Sequence, residues 1–434
     1  MKKEKLLIII MILALYGAGW YTIFSSAAQE QEEYDTYLGQ AREMAEKGLD
    51  YDAMLNYARA LNVRDTAALR AEIAQYYLNR GELELLEEWA EEMIEIYPED
   101  PAGYEYLAVF QDQSGLIGEC LSTIISANQR AGMTQTLSDL YAKYRYAYYL
   151  SGNVFSEVQS FANGLCPVMN SGGYWGYLDT AGSMQIPFQY QKAEEFLDSG
   201  LAPVQTQEGE YILIDIAGNK RGIDEEGKAF EEIGPLSGGI MAAMMDGGWT
   251  YLNRNFAKIG GDYEEAAVMN GGAGAVKQDG KWMFLASSGA QIGSRTFEVV
   301  RTDRLGMAFR NGIAFAGSEG NLSMYGREGE KISGEIFEDA KLFASSQPAA
   351  VKKNGLWGFA NASGAWVIEP QYEDACSFAS GYAAVKQDGL WGFINEQNEL
   401  VIEPAFLEAD VFNGNGGVMV RTQEGWRLLR LYVY

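Results

Sequence analysis

The chain has 434 residues, and its 33 Lys and Arg against 60 Asp and Glu give a net charge of −27. This length allows two folded domains, and the acidic balance argues against nucleic-acid binding, which depends on a basic patch. The sequence has no histidine, which excludes Ser-His-Asp and Cys-His catalysis and histidine-ligated zinc.

The N-terminus begins with a short basic segment, residues 1–5, followed by an uncharged and mostly apolar run over residues 6–24. A helix of this length matches the hydrocarbon core of a bilayer, about 30 Å. The lysines predict a cytoplasmic tail, so residues 6–24 are predicted to be a transmembrane signal-anchor with the rest of the chain outside the cytoplasm. The alternative is a signal peptide that is cleaved near Ala28 and a secreted protein. Residues 25–33 are predicted to be a linker.

Residues 34–161 have the spacing of a helical array. Gly48, Gly81 and Gly115 are 33 and 34 residues apart, and helix-like stretches flank each of them. The region resembles tetratricopeptide repeats, whose period is about 34 residues, and this resemblance implies an α-solenoid of helical hairpins. The tryptophan and the Leu-Gly pair of that repeat are missing, so a generic array of helical hairpins is the alternative. The tyrosine-rich tract at residues 141–149 is assigned to the last helix.

Residues 165–434 repeat one short pattern about seven times. The clearest copies, Val351–Ala360 and Val385–Ile394, share Gly-Leu-Trp-Gly-Phe. The Asp-Gly before the second copy predicts a tight turn between two strands, and Pro370 and Pro404 are predicted to end a third strand. An aromatic anchor returns every 33 to 40 residues, at Trp175, Tyr211, Trp249, Trp282, Trp357, Trp391 and Trp426, with Leu322 in one further position.

These motifs resemble the WG-repeat family of bacterial β-rich proteins over residues 165–434. The resemblance implies a non-catalytic binding or scaffold domain and no catalytic residues. Units of three or four strands fit a β-propeller, closed by pairing between residues from Leu165 onward and the strand near residues 426–434. An open β-solenoid is the alternative. We interpret the anchors as structural residues that pack between neighbouring units, and the glycine after each tryptophan as a point of close backbone approach.

Motifs for chemistry are absent from the sequence. It has no phosphate-binding loop or dinucleotide fingerprint, and Cys120, Cys166 and Cys376 are too scattered for a disulfide framework or a zinc site. We therefore expect a multidomain α + β protein that is not an enzyme and needs no cofactor or metal.

The expected function is a membrane-anchored scaffold of the bacterial cell envelope that binds proteins or peptides. One alternative is binding to cell-wall glycan through exposed aromatic rings. Another is a carboxylate-dependent hydrolase, although its candidates, Glu369 and Glu403, occupy equivalent repeat positions and therefore look structural.

Overall fold

A computed structural model describes residues 27–221, 230–254 and 257–433. The chain divides into a helical unit that reaches Ala147 and a β unit from Tyr148 to Tyr432. The predicted cytoplasmic tail and transmembrane segment, residues 1–24, lie outside the described residues. Within the described residues, no helix combines the length and the apolar character needed to cross a bilayer.

The helical unit contains seven helices in the described part of the chain. The first already covers most of the segment predicted to be a linker. Their bounds are α1 (residues 27–46), α2 (Asp50–Val63), α3 (Ala67–Arg80), α4 (Leu83–Ile96), α5 (Pro101–Gln113), α6 (Ile117–Arg130) and α7 (Gln135–Tyr144).

Local signals explain where these helices begin and end. The Thr66 side chain accepts a hydrogen bond from the Leu69 amide at the start of α3, and this capping satisfies one of the free amides of a helix N-terminus. Gly81 ends α3 in the left-handed conformation, with φ 70°, which glycine adopts at little cost. Gly48 and Gly115 have the same conformation, so the regular spacing of these glycines marks the ends of helices.

The helices pack through small residues, since Ala60, Ala74, Ala90 and Ala108 are completely buried. The predicted helical region is confirmed, but it ends earlier than residue 161. Helix α7 ends at Tyr144, and the last residues of the tyrosine tract belong to the first strand of the β unit.

The β unit is an eight-bladed propeller, with eight antiparallel sheets rather than about seven. In the described residues, the first strand is β1 (Tyr148–Leu150). Blade 1 contains β2 (Glu157–Val158), β3 (Leu165–Met169), β4 (Trp175–Asp179) and β5 (Met184–Tyr190), and blade 2 contains β6 (Lys192–Ala193), β7 (Leu201–Gln205) and β8 (Tyr211–Asp215). Blade 3 contains β9 (Glu232–Ile233), β10 (Ile240–Met245), β11 (Gly248–Asn253) and β12 (Lys258–Tyr263), and blade 4 contains β13 (Glu265–Ala266), β14 (Ala273–Gln278) and β15 (Lys281–Ala286). Blade 5 has β16 (Val299–Val300), β17 (Ile313–Ser318) and β18 (Asn321–Gly326); blade 6, β19 (Asp339–Ala340), β20 (Ala349–Lys353), β21 (Leu356–Ala360) and β22 (Trp366–Tyr372); blade 7, β23 (Asp374–Ala375), β24 (Tyr382–Gln387), β25 (Leu390–Asn395) and β26 (Leu400–Phe406); and blade 8, β27 (Glu408–Ala409), β28 (Gly417–Thr422) and β29 (Gly425–Leu431).

The ring is closed by a strand from the start of the β unit. Strand β1 pairs with β29 in blade 8, with Tyr148 opposite Leu431 and Leu150 opposite Leu429. This pairing favours the propeller over the open solenoid, because radial closure protects the sheet edges. The closing strand precedes residue 165, where the sequence placed the start of the β domain, so the expectation that residues from Leu165 onward close the ring was wrong.

The tight turns have the predicted local structure, and the anchors have a recurring partner. Asp388 and Gly389 both have positive φ, 50° and 79°, as a two-residue hairpin turn requires. At seven positions in the described residues, the anchor lies opposite an aromatic residue of another strand or bridge, in the pairs Trp175 with Tyr190, Trp249 with Tyr263, Trp282 with Phe297, Leu322 with Phe337, Trp357 with Tyr372, Trp391 with Phe406 and Trp426 with Phe155.

The glycine after the tryptophan lets the outer strand approach closely, as predicted. A Cβ atom on Gly358 would lie 2.5 Å from the Ile368 carbonyl oxygen and 2.7 Å from the Pro370 nitrogen, too close for any side chain. The proline does not end the strand as expected. It lies within β22, at the outer edge of the sheet, where a missing N–H donor is tolerated.

Candidate functional site

The sequence-predicted anchors lie in the blades. Tyr211, Trp357, Trp391 and Trp426 are each 9% exposed or less. Trp175, Trp249 and Trp282 are partly buried against hydrophobic clusters that each join the tryptophan's own blade to the next one. The structure therefore distributes the seven predicted residues around the ring, one to a blade, and does not bring them together in one site.

The loop between the first two strands of each blade, here called its first loop, reaches the centre of the ring. Leu197, Val268 and Leu305 come from the first loops of blades 2, 4 and 5 and form one buried cluster with Met307. Ala162 of blade 1 packs against the same cluster. Contact between four blades is possible only near the axis of the propeller, so this cluster marks its centre.

The first loop of blade 5 is twice as long as that of blade 7, residues 301–312 compared with residues 376–381. Its extra residues fold into a compact turn, in which the Asp303 Oδ1 atom accepts hydrogen bonds from the Leu305 and Met307 amides at 3.0 and 2.9 Å. The turn places Leu305 and Met307 in the central cluster and so fills the middle of the ring.

Arg304, next to this turn, connects blade 5 to two other blades. Its Nη2 atom donates to the Val158 carbonyl of blade 1 at 2.9 Å, and its Nη1 atom lies 3.6 Å from the Asp410 Oδ2 atom of blade 8. The same Asp410 oxygen accepts a hydrogen bond from Ser160 of blade 1 at 2.9 Å. These contacts fix the position of the long loop, while the Arg304 side chain stays 49% exposed.

A cavity of about 700 Å³ opens beside the long loop. First loops from blades 1, 5, 6, 7 and 8 form its wall, which combines buried phenyl rings with hydroxyl, amide and charged groups. We call it the central pocket, and none of the described residues that line it is Trp or Tyr. Its lining includes Ser160, Phe161, Asp303, Arg304, Arg310, Lys341, Phe343, Ser345, Cys376, Ser380, Asp410, Phe412, Asn413 and Asn415.

Burial raises the pKa of several acidic groups near the centre. Burial, with a smaller contribution from the Glu232 carboxylate, raises the pKa of Glu194 to about 7. Glu195 is 1% exposed, and burial raises its pKa well above the usual range. Burial also raises the pKa of Asp303. Each shift arises because a low-dielectric environment disfavours the charged form.

The thiols and carboxylates do not form a reactive set. Burial raises the pKa of Cys376 to about 11 and raises that of Cys166 well above its ordinary value, so both thiols are protonated and weakly nucleophilic at neutral pH. Glu369 and Glu403, considered above for a hydrolase, are exposed on the outer strands of two different blades. Over the part of the chain that the structure describes, no three Cys, Asp or Glu side chains converge as metal ligands.

The sequence model of the WG containing repeat matches residues 175–211, 357–391 and 391–425. The chain therefore contains WG repeats. Each match begins at a tryptophan that is followed by glycine. All three tryptophans lie at or next to the start of the third strand of a blade. No curated protein matches the chain.

Solved structures with a similar fold are distant in sequence. BamB from Moraxella catarrhalis is 14% identical, with 65% of this chain and 99% of that chain covered and a TM-score of 0.43. Hsv2p from Kluyveromyces lactis is 9% identical over 57% of this chain and 96% of that chain, with a TM-score of 0.37. The TPR domain of Arabidopsis OM64 is 11% identical over 26% of this chain and 95% of that chain, with a TM-score of 0.23.

The residues of the central pocket were missed in the sequence, although the WG repeats contain two signals for them. The Ala-x-x-Phe ending of each clear repeat places its two variable residues in a first loop, as with Asp410 and Val411 before Phe412. In addition, the 40-residue step from Trp282 to Leu322 is the longest in the array, and the extra residues of the blade 5 loop account for it.

Proposed function

We propose that this protein is a non-catalytic, membrane-anchored scaffold whose WG-repeat propeller binds a segment of a partner protein in the central pocket. One observation supports this proposal above others. The longest first loop departs from the repeat and, together with four other blades, builds a pocket beside the ring centre. A long loop that only connected two strands would need neither the internal turn formed by Asp303 nor the contacts of Arg304 to two other blades.

The size and lining of the pocket suit a peptide segment. A volume of about 700 Å³ lies within the range of roughly 300–1,000 Å³ that is typical of ligand sites. The half-buried side chains of Phe161 and Val411 provide apolar surface, and Ser345, Ser380 and Asn415 provide hydrogen-bonding groups. Mixed apolar and polar walls of this kind can bind both side chains and backbone.

The cellular location is part of the proposal. The apolar residues 6–24 and the lysines before them support a single-pass anchor with both folded units outside the cytoplasm. The partners would then be other proteins or peptides of a bacterial cell envelope, and the helical unit would offer a second binding surface. Protease treatment of intact spheroplasts should digest a C-terminal tag, and protection of the tag until lysis would contradict this orientation.

A scaffold is favoured over glycan binding and over hydrolysis. Sugar binding through aromatic rings needs exposed faces, whereas the anchors Trp357, Trp391 and Trp426 are nearly buried. Hydrolysis by two carboxylates needs both groups free to act on a substrate, whereas Asp303 and Asp410 of the pocket already accept hydrogen bonds from the protein.

A photoreactive residue in the full chain tests the proposal. Incorporated in place of the exposed Thr302 at the pocket, it should crosslink a defined protein partner in intact cells. The matched control is the same residue in place of Ile336, which is 48% exposed and does not line the pocket. The purified partner should then bind the full chain in solution. A peptide with the sequence of the crosslinked segment should compete for this binding. Identical crosslinked products from both positions, or none from Thr302, would contradict the proposal.

A further inference from the structure

We infer that the central pocket recognises a carboxylate of the bound segment, and that Arg304 and Arg310 hold it. This inference rests on the proposed function and adds the chemistry of the ligand. The pocket contains more hydrogen-bond donors than the described residues satisfy with close acceptors. The inference follows from this surplus of donors.

Arg310 is the first of these donors. Its side chain is 27% exposed, and its Nε atom lies 3.6 Å from the Asp303 Oδ2 atom and 3.5 Å from the Phe343 carbonyl oxygen. Its Nη1 atom lies 3.3 Å from the sulfur of Met307, a weak acceptor. A guanidinium has five N–H donors, and largely buried donors without good acceptors destabilise a fold. Arg310 is therefore held in the pocket wall with capacity for a further acceptor.

Arg304 is the second. Among its contacts with the described residues, one has ordinary hydrogen-bond length, the 2.9 Å bond to the Val158 carbonyl. The Asp410 carboxylate is 3.6 Å away and instead receives closer hydrogen bonds from Ser160, at 2.9 Å, and from the Val411 amide, at 2.8 Å. The exposed part of the Arg304 guanidinium thus faces solvent with donors that the described residues do not use.

Asn413 also lines the pocket and is 8% exposed. Its Oδ1 atom accepts hydrogen bonds from the Asn415 and Gly417 amides at 2.9 and 3.0 Å, which fixes the orientation of the amide. Its Nδ2 atom is buried and has no hydrogen-bond partner among the described residues. Lys341, by contrast, forms an ion pair with Asp374 at 2.7 Å, so it is not part of this surplus.

An oxyanion is the ligand group that satisfies these donors, because it accepts several hydrogen bonds at once. Guanidinium groups bind carboxylates and phosphates in the same forked geometry. Asp303 and Asp410 line the pocket as well, and they limit its positive charge. A singly charged carboxylate fits this balance better than a phosphate, which carries close to two charges at neutral pH. The carboxylate would come from an acidic side chain or from the C-terminus of the partner.

Labelled peptides and the full chain provide the test. The probes are blocked Ala-Gly-Glu-Glu-Gly-Ala, its Gln-Gln and phosphoserine counterparts, and Ala-Gly-Gly-Ala with a free C-terminus. Fluorescence anisotropy should show binding of the glutamate peptide or of the free C-terminus, at least about tenfold tighter than binding of the glutamine peptide, as expected for loss of charge-assisted hydrogen bonds. Which of the two binds identifies the source of the carboxylate.

Arginine variants then locate the site. Arg304→Gln and Arg310→Gln should each weaken binding by about tenfold or more, and Arg310→Lys should restore it only in part, because lysine lacks the fork. Arg295→Gln is the control, since Arg295 is exposed, does not line the pocket and changes the net charge equally. Circular dichroism confirms that each variant is folded.

Three results would overturn the inference. In the first, neither the glutamate peptide nor the free C-terminus binds more tightly than the glutamine peptide. The other two are tighter binding of the phosphoserine peptide and an equal loss of affinity in Arg295→Gln. The inference and the proposed function can fail separately. A partner that crosslinks at Thr302 but binds the arginine variants normally leaves the scaffold proposal intact. Carboxylate binding without any protein partner leaves the site intact and contradicts the scaffold.

Discussion

Blade 7 and blade 5 are built from the same repeat, but they differ at three places. Blade 7 has Trp391 followed by Gly392, a fourth strand and a short first loop. Blade 5 has Leu322 followed by Ser323, three strands and the long first loop that carries Arg304. In a ring of equivalent units, equivalent residues have the same structural role. A site that occurs once must therefore arise where a unit departs from the repeat.

The regular blades show what the repeat itself requires. In blades 1, 6 and 7, the glycine after tryptophan faces an outer strand that contains a proline. In blade 6, β22 advances four residues, from Ile368 to Tyr372, while β21 advances two. This bulge pushes the outer backbone toward Gly358, so that glycine, bulge and proline form one structural unit. Blade 5 lacks the fourth strand, and its anchor meets Phe337 only in an isolated bridge.

The largest expected effect concerns the anchor of a regular blade. Trp391 is 7% exposed and packs in a core with Phe393 and Phe406, so Trp391→Ala should lower the free energy of unfolding by about 3–5 kcal/mol, the cost of a large core deletion. Denaturant unfolding measures it. The control Leu356→Ala, at a side chain that is 41% exposed, should cost much less. A folded, fully stable Trp391→Ala that loses ligand binding would instead support the glycan alternative.

This comparison also explains how far the sequence could be interpreted. Period, turns and the close approach at glycine follow from local chemistry, so the β-repeat domain was predictable from residues such as Trp391, Gly392 and Asp388. The eighth blade was undercounted because Leu322 replaces the expected aromatic. The closing strand was misplaced because three residues, 148–150, are too short for a periodic signal and depend on pairing with a strand some 280 residues away.

The central pocket could not be predicted because it depends on which first loops meet across the ring. Arg304 and Val158 are 146 residues apart in the chain, and Ser160 and Asp410 are 250 residues apart. No local pattern encodes these contacts. The sequence does show the departure itself, as the long step between Trp282 and Leu322, but not what the inserted residues contact.

The second prediction concerns the first loop of blade 2, where Glu194 occupies the position of Cys376 in blade 7. Its pKa is about 7 in the folded protein and 4.5 for an ordinary glutamate. Below the lower value both states are protonated. Between the two values the unfolded chain releases the proton first, so the stability falls as the pH rises through this window, by roughly 3 kcal/mol in all.

Glu194→Gln removes this titration. Relative to wild type, the variant should gain up to roughly 3 kcal/mol of unfolding free energy between acidic pH and a pH above 7. Thermal and denaturant unfolding across this range measure the difference. Glu208→Gln, at an exposed residue of the same blade, should show no comparable change. An unchanged pH profile in Glu194→Gln would show that other groups set the pH dependence.

The third prediction concerns the glycine of a regular blade. A Cβ atom at position 392 would lie 2.5 Å from the Ile402 carbonyl oxygen and 2.8 Å from the Pro404 nitrogen. Backbone atoms cannot move aside as a flexible side chain can, so Gly392→Ala should cost about 1–3 kcal/mol, as overpacking does. Gly334→Ala is the control, because nothing lies within 4 Å of its Cβ position. Equal stability of the two variants would contradict the structural role of the bulge.

The smallest effect is expected at the equivalent position of blade 5. Ser323 is 7% exposed and already has a Cβ atom, because no fourth strand bulges toward it. Ser323→Gly restores the glycine that follows the anchor in the repeat but gains no partner strand. The substitution should therefore lower the free energy of unfolding by about 0.5–1 kcal/mol, the entropic cost of glycine in a strand. In blade 7, by contrast, glycine is required at the equivalent position. Denaturant unfolding measures this value beside Gly392→Ala. Stabilisation by Ser323→Gly would mean that the glycine acts through the repeat itself and not through the outer strand.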